Sequence, residues 1–414
     1  MIIQSKVFYG SIFSLLLLLQ VYIPSFKLNV VIQLLVVLYF IITKQFVFTK
    51  QFFKLTAPLL ILLVFPLFIG FFKSNELSFL IKDFSYYLKP ILGLTLGYLF
   101  FKKIDNFPIF IKSVVYVGLI SAFIHFIILL FFTNLVSGNV SQIREYGKDN
   151  FLELISLVLL LTHKRFTSQE VFNKRFYYYS VVFIAISCLM YLSRSMLIVA
   201  FLFFLSIKGY TIINYKKIKV IGIFIISVLS FYSYLFSIKI DRNATGIDGF
   251  LYKMKIAPSE VFPSKIDRDN HVKLWDNWRG YEAKRALALM ETQPESYLVG
   301  TGFGSLIDLK FNSPLGEQKK GLRYISEIHN GYVFVFYKTG FLGLFLMLLF
   351  LVNLYRKGYY SKDFLFIFVS GIAVAYLFTT LTITGIFNKK DVLIMILGSF
   401  LYFMMRKNQS NENI

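Results

Sequence analysis

Cysteine is almost missing from this chain. A single residue, Cys188, in 414 leaves no intrachain disulfide and no cysteine-based metal site. Acidic side chains are also few, 22 against 44 Lys and Arg, and charged residues together make up only 16%. So few charges cannot clothe a soluble body of this length, because 57% of the residues are hydrophobic and the mean hydropathy is +0.66. Lipid accepts such a surface, and the chain reads as a polytopic integral membrane protein. The formal net charge of +22 then needs no nucleic acid. Lys and Arg gather in the short cytoplasmic loops of membrane proteins, and no nucleic-acid partner is expected. The first apolar run lacks a small-residue cleavage pattern and is followed at once by another, so it reads as a signal anchor.

A helix needs about 20 mostly apolar residues to cross the hydrocarbon core. On that rule the expected fold is all-α, with twelve spans near 7–24, 28–43, 55–72, 83–101, 112–135, 149–163, 177–193, 195–209, 218–237, 336–355, 363–383 and 391–405. The fourth carries Asp83, Lys89 and Pro90 in its first half, which predicts a kink or a partly interfacial helix. With the N-terminus inside, the cytoplasmic connections hold clusters such as Lys102/Lys103/Lys112, Lys164/Arg165/Lys174/Arg175 and Lys208/Lys216/Lys217/Lys219. The outside connections are poorer in basic residues, apart from Lys389 and Lys390. Three regions follow: 1–237 with nine spans, a large outside loop over 238–335, and 336–414 with three spans. The loop has mixed charge and both tryptophans, which predicts a folded, partly helical cap with a helix from Trp275 to Glu291.

Several motifs carry candidate chemistry. "MYLSRSMLIVA" places Arg194 between two apolar spans, where an ionisable side chain is costly; the alternative is an arginine that snorkels to the interface. In the loop, Arg279, Glu282 and Arg285 follow one another at helical spacing, and a guanidinium fork suits phosphate oxygens. Arg285 reads more simply as one half of a surface ion pair. Trp275 and Trp278 could stack on a sugar or serve as interfacial belt residues. "VGTGFGS" has its glycines at 300, 302 and 304, the wrong spacing for a dinucleotide fingerprint, and reads as a tight turn. "DRNATGIDG" starts like a calcium loop, but Tyr252 stands where a bidentate Glu belongs. Asp267 and Asp269 make a weak D-x-D pair, and His125 and Glu153 suit hydrogen bonds between helices as well as a polar cavity. His329 is different. It precedes Asn330 and a run, "GYVFVFYKTGFLGLFLMLLF", in which Gly340 and Gly343 mark the passage into lipid. That sets a histidine at headgroup level.

The segment "HNGYVFVFYKTGFLGLFLMLLF", the preceding "VGTGFG", "SRS" at 193–195 and the large loop before the last three spans resemble the O-antigen polymerase and ligase family of bacterial envelope enzymes. The resemblance implies a metal-independent glycosyltransferase without cofactor in the bacterial inner membrane, with its site facing the periplasm. Its donor would be an undecaprenyl-diphosphate-linked oligosaccharide. Arg194 and Arg279 would clamp the diphosphate leaving group and His329 would orient or deprotonate the acceptor hydroxyl. Arg285, Arg323, Asn330, Trp275 and Trp278 would complete the substrate site, and Lys319, Lys320 and Arg323 would hold a second diphosphate. Polymerisation of repeat units ranks first, ligation of finished glycan to lipid A–core second. A lipid-linked sugar transporter ranks third, because the two halves do not match as transporter repeats do. A chain-length regulator and a flippase are the expected protein partners.

Overall fold

The computed structural model describes residues 2–132, 151–241, 246–261, 271–313 and 321–412. Among the described residues nine helices come first: α1 (Ile2–Tyr22), α2 (Phe26–Ile42), α3 (Lys50–Phe72), α4 (Leu77–Ile104), α5 (Phe107–Phe132), α6 (Leu152–Phe166), α7 (Lys174–Met190), α8 (Arg194–Ile207) and α9 (Tyr215–Ser237). A cap follows, made of α10 (Gly246–Val261), α11 (His271–Asp276), α12 (Trp278–Glu291), α13 (Ser296–Val299) and the strands β1 (Ile307–Ser313) and β2 (Leu322–Ile325). The chain then returns to long helices, α14 (Gly331–Tyr355), the short α15 (Lys357–Tyr360), α16 (Phe364–Thr382) and α17 (Leu393–Glu412), with a 3-10 turn at Gly385–Phe387.

Local chemistry sets the helix starts. Ser25, Thr49, Asn173, Ser193 and Asn214 each accept a hydrogen bond from a backbone N–H in the first turn that follows, which satisfies donors the helix itself leaves open. Over the described residues, each of the twelve expected apolar runs falls on a helix. Six described stretches are both long and apolar enough to cross a membrane: Ser5–Tyr22, Lys50–Phe72, Phe107–Phe132, Lys217–Ser237, Gly331–Tyr360 and Phe364–Thr382. The rest fall short in length or carry charge. On α9 nearly the whole apolar surface is bare, with Ile223 and Ile226 each 65% exposed. Water would not tolerate that helix; lipid would.

α4 lies at the centre, against α17, α2, α3 and α1. It is one helix with Pro90 inside it, and Asp83 and Lys89 are buried against the rest of the protein. Protein partners make that possible. Asp83 accepts from Lys338 Nζ at 2.6 Å and from the Gly304 N–H at 2.7 Å, while Lys89 Nζ donates to the carbonyls of Asn388 at 2.5 Å and Asp391 at 2.9 Å. Buried charge needs such partners. The glycine-rich segment is a turn, as expected: Gly300, Gly302 and Gly304 are all left-handed, and the Phe303 N–H donates to the Pro66 carbonyl of α3.

Among the described residues the fold departs from all-α in one place. β1 and β2 pair antiparallel, Ile307 opposite Ile325 and Asp308 opposite Tyr324, to form a small hairpin in the cap. The expected helix over Trp275 to Glu291 is broken at Asn277 into α11 and α12.

Candidate active site

Arg194 sits in the first turn of α8, where the Ser193 hydroxyl accepts from the Met196 N–H. Its guanidinium reaches the cap. Nη2 donates to both carboxylate oxygens of Glu260 at 3.1 and 3.2 Å, and Nη1 donates to the Lys253 carbonyl, both partners being on α10. Arg279, from α12, donates to the same carboxylate at 3.4 Å. Two arginines expected to act together therefore converge on one anion, Glu260, whose side chain is only 13% exposed.

One helical turn beyond Arg279, roughly 4.5 Å along the axis, Glu282 is almost fully buried. One of its oxygens accepts from the His329 backbone N–H at 3.0 Å and lies 2.8 Å from His329 Nδ1. A buried carboxylate at Nδ1 fixes a proton there and leaves Nε2 as the second functional nitrogen of a half-exposed ring. Asn330 caps α14, accepting from the N–H groups of Tyr332 and Val333. α14 then bends at Gly340, with φ 62° and ψ −165°, where a Cβ would lie 2.4 Å from the Leu298 backbone. Only glycine fits that conformation. The bend separates the turn below His329 from the apolar part of α14.

Three cavities join these groups around Ile383. One, of about 260 Å³, is lined by Arg194, Glu260 and Arg279 together with apolar side chains such as Phe378 and Leu381. The next, about 230 Å³, has Arg279, Ser195, Tyr376, Asn388 and Lys390. The third, about 280 Å³, has His329, Glu327, Lys389, Lys390 and Tyr86. Arg279 lines the first two, Lys390 the last two, and Ile383 all three.

The other sequence candidates lie elsewhere. Arg285 Nε donates to the Asp308 carbonyl at 2.9 Å, and Arg323 makes a two-point pair with the Asp308 carboxylate at 2.9 and 3.1 Å. Both brace the hairpin. Arg323 and the backbone N–H of Lys310 hold the Asp308 carboxyl well below the usual carboxylate range, against what burial does. Trp275 and Trp278 pack on each other at 4.9 Å, and Trp278 packs on Tyr281 and Phe311 as the aromatic core of the cap. His125 and Glu153 are tied into helix–helix hydrogen bonds. His125 Nδ1 meets the Ser187 hydroxyl at 2.8 Å, and Glu153 accepts from Ser121, Ser187 and Tyr191. Asn243, Thr245, Asp267, Asp269, Lys319 and Lys320 lie outside the described residues.

Sequence reasoning missed Glu260, Glu327 and Lys82, and treated Glu282 only as a possible partner on its own helix. Glu327 accepts from the Tyr86 hydroxyl at 2.5 Å and pairs with Lys82 at 3.1 Å and Lys389 at 3.0 Å. Burial raises its carboxyl, but Lys389, the Tyr86 hydroxyl and Lys82 outweigh burial and hold it below its ordinary range.

The protein-family model described as O-antigen ligase matches residues 179–348, which include Arg194, Arg279 and His329. Those residues form an O-antigen ligase family domain. The match ties the chain to surface-polysaccharide assembly and, with its apolar helices, to a multi-pass membrane setting. It also carries membrane glycosyltransferase chemistry of the ligase and polymerase type and a lipid-linked glycan as substrate. Among curated proteins none matches the chain.

Proposed function

We propose that this O-antigen ligase family enzyme polymerises undecaprenyl-diphosphate-linked repeat units on the periplasmic side of the inner membrane. The observation that carries the reading is the run of cavities around Ile383, with an arginine pair at one end and a carboxylate-held histidine at the other. The donor diphosphate occupies the Arg194/Arg279 end, where it competes with Glu260 for both guanidinium forks, and its polyprenyl chain leaves past Phe378 and Leu381. An acceptor sugar hydroxyl lies at His329. Its oxygen forms a bond to the donor's anomeric carbon as the bond from that carbon to the diphosphate oxygen breaks. The hydroxyl proton passes to His329 Nε2, and the electron pair leaves with the lipid diphosphate. Negative charge grows on the leaving group, which is where preorganised cations lower the barrier most.

The second reading is ligation to lipid A–core, favoured by the family description itself. Deletion of the gene separates the two. Loss of a polymerase leaves core capped with a single repeat unit. Loss of a ligase leaves bare core while long glycan collects on the carrier lipid, and that outcome would overturn the choice made here.

A further inference from the structure

Lys389 and Lys390 are the two outside lysines that fit the charge asymmetry of the loops least well. Both line the cavity that contains His329. Lys389 is held in place by its backbone, since its carbonyl accepts from Gln20 Nε2 at 2.6 Å and the neighbouring Asn388 carbonyl accepts from buried Lys89. Its ammonium pairs with Glu327, which also binds Lys82. The pattern repeats that at the other end of the cavities: one carboxylate bridging two cations. Here both lysine head groups reach solvent, with side chains 38% and 49% exposed.

Beside this cluster a groove of about 780 Å³ runs between α2 and α4. Its walls are Val30, Val31, Leu34, Phe79 and Ile81, and its polar residues include Lys27 and Lys82. Tyr86 lines both the groove and the His329 cavity; its ring stacks on Phe26 at 4.4 Å and its hydroxyl donates to Glu327. An apolar slot that ends at paired ammonium groups has the chemistry of a lipid tail with an anionic head.

We propose that Lys82 and Lys389 form a second lipid-diphosphate site, which binds the acceptor's headgroup beside His329 while its polyprenyl chain lies between α2 and α4. The proposal rests on the polymerase reading, in which the acceptor is itself lipid-linked. It also explains the division of cation types. Only the donor's diphosphate gains charge in the transition state, and it meets arginine forks; the acceptor's diphosphate is held but does not react, and point-charge lysines suffice. The second diphosphate is thereby assigned to this cluster and not to Arg323, which is engaged by Asp308 in the hairpin.

Native mass spectrometry of the full chain with undecaprenyl diphosphate tests this. Wild type should bind two lipids. The double variant Lys82→Ala/Lys389→Ala should weaken one binding event about thirtyfold, on the scale of one surface lysine's pull on an anionic headgroup, taken twice. Leu34→Trp, which fills the groove at an exposed position, should weaken the same event, and Lys389→Arg should keep it. Arg194→Ala should weaken the other event. One lipid per wild-type chain, lost in Arg194→Ala and untouched by the lysine variants, overturns the second site and leaves the donor site standing. Two lipids, one lost with the lysines and neither with Arg194→Ala, upholds the second site and removes Arg194 from the donor reading. If inorganic pyrophosphate displaces the lipid as well as the lipid binds, and Leu34→Trp changes nothing, the assignment of the groove to the tail is overturned.

Discussion

The role proposed for His329 depends on Glu282, which holds its ring. Without the carboxylate at Nδ1, the ring loses both its orientation and its fixed tautomer. His329→Ala should lower the turnover rate about 10²- to 10⁴-fold, the range a positioned proton acceptor supplies. Glu282→Gln should cost about a hundredfold in kcat and leave the KM for the lipid-linked donor within twofold. A parallel rise in KM would make Glu282 a structural residue of the cap and not a positioning one. For Arg194, replacement by Lys should recover little of the activity lost in Arg194→Ala, since an ammonium cannot reproduce a two-point contact. Full recovery would show that charge alone matters there. Arg323 offers a control, because it serves the hairpin. Asp308 has its carboxyl depressed in the folded state, so its contribution to stability is present above the unfolded value near 4 and is lost as pH falls through the folded one. Both tryptophans lie in the cap, and Trp278 touches Phe311 on β1. Tryptophan fluorescence should therefore report acid loosening of the cap at higher pH in Arg323→Ala than in wild type, with turnover at neutral pH unchanged. At this scale the sequence was legible where a residue type is costly for its setting, as with Arg194 in an apolar run or His329 at the start of one. It was silent about Glu260 and Glu327, because an acid in a mixed-charge loop looks like any other until the fold brings a cation to it.

Among the elements, the helices over the apolar runs were readable, and six described stretches have both the length and the composition that lipid demands. The cap was only half readable. α12 announces itself by helical spacing, whereas α10 starts within a stretch that resembles a calcium loop. β1 and β2 are short strands whose pairing depends on a partner well away in the chain, Ile307 opposite Ile325, 18 residues on, being the example. α14 was legible down to its bend. Gly340 stands in a backbone region that other residues enter only at a cost of about 1–3 kcal/mol, and a Cβ there would meet the Leu298 carbonyl carbon. Gly340→Ala should lower the thermal unfolding temperature in detergent and reduce turnover, because it displaces the segment that carries His329. Unchanged stability would mean that the bend relaxes freely and does not hold the site.

For the whole molecule the decisive property is sidedness, which charge asymmetry sets and burial alone does not reveal. Lys389 and Lys390 looked like exceptions to that asymmetry; their place beside His329 gives a reason for them. Since Cys188 is the only cysteine, a cysteine-free chain needs one substitution, and single cysteines can then be placed at will. A cysteine at Tyr324 in the cap should react with a membrane-impermeant thiol reagent added to spheroplasts, and one at Lys362 should not. The reverse pattern would part the arginines and His329 from a substrate on the periplasmic face. The most direct test is turnover itself. The purified full chain in lipid nanodiscs should convert an undecaprenyl-diphosphate-linked repeat unit into a ladder of multimers, with one carrier diphosphate released for each bond formed. Arg194→Ala, Arg279→Ala and His329→Ala should each reduce the ladder to the single unit while the protein remains folded. A full ladder from any of the three would contradict the role given to that residue, and a wild-type chain that extends nothing yet transfers finished glycan to lipid A–core would contradict polymerisation.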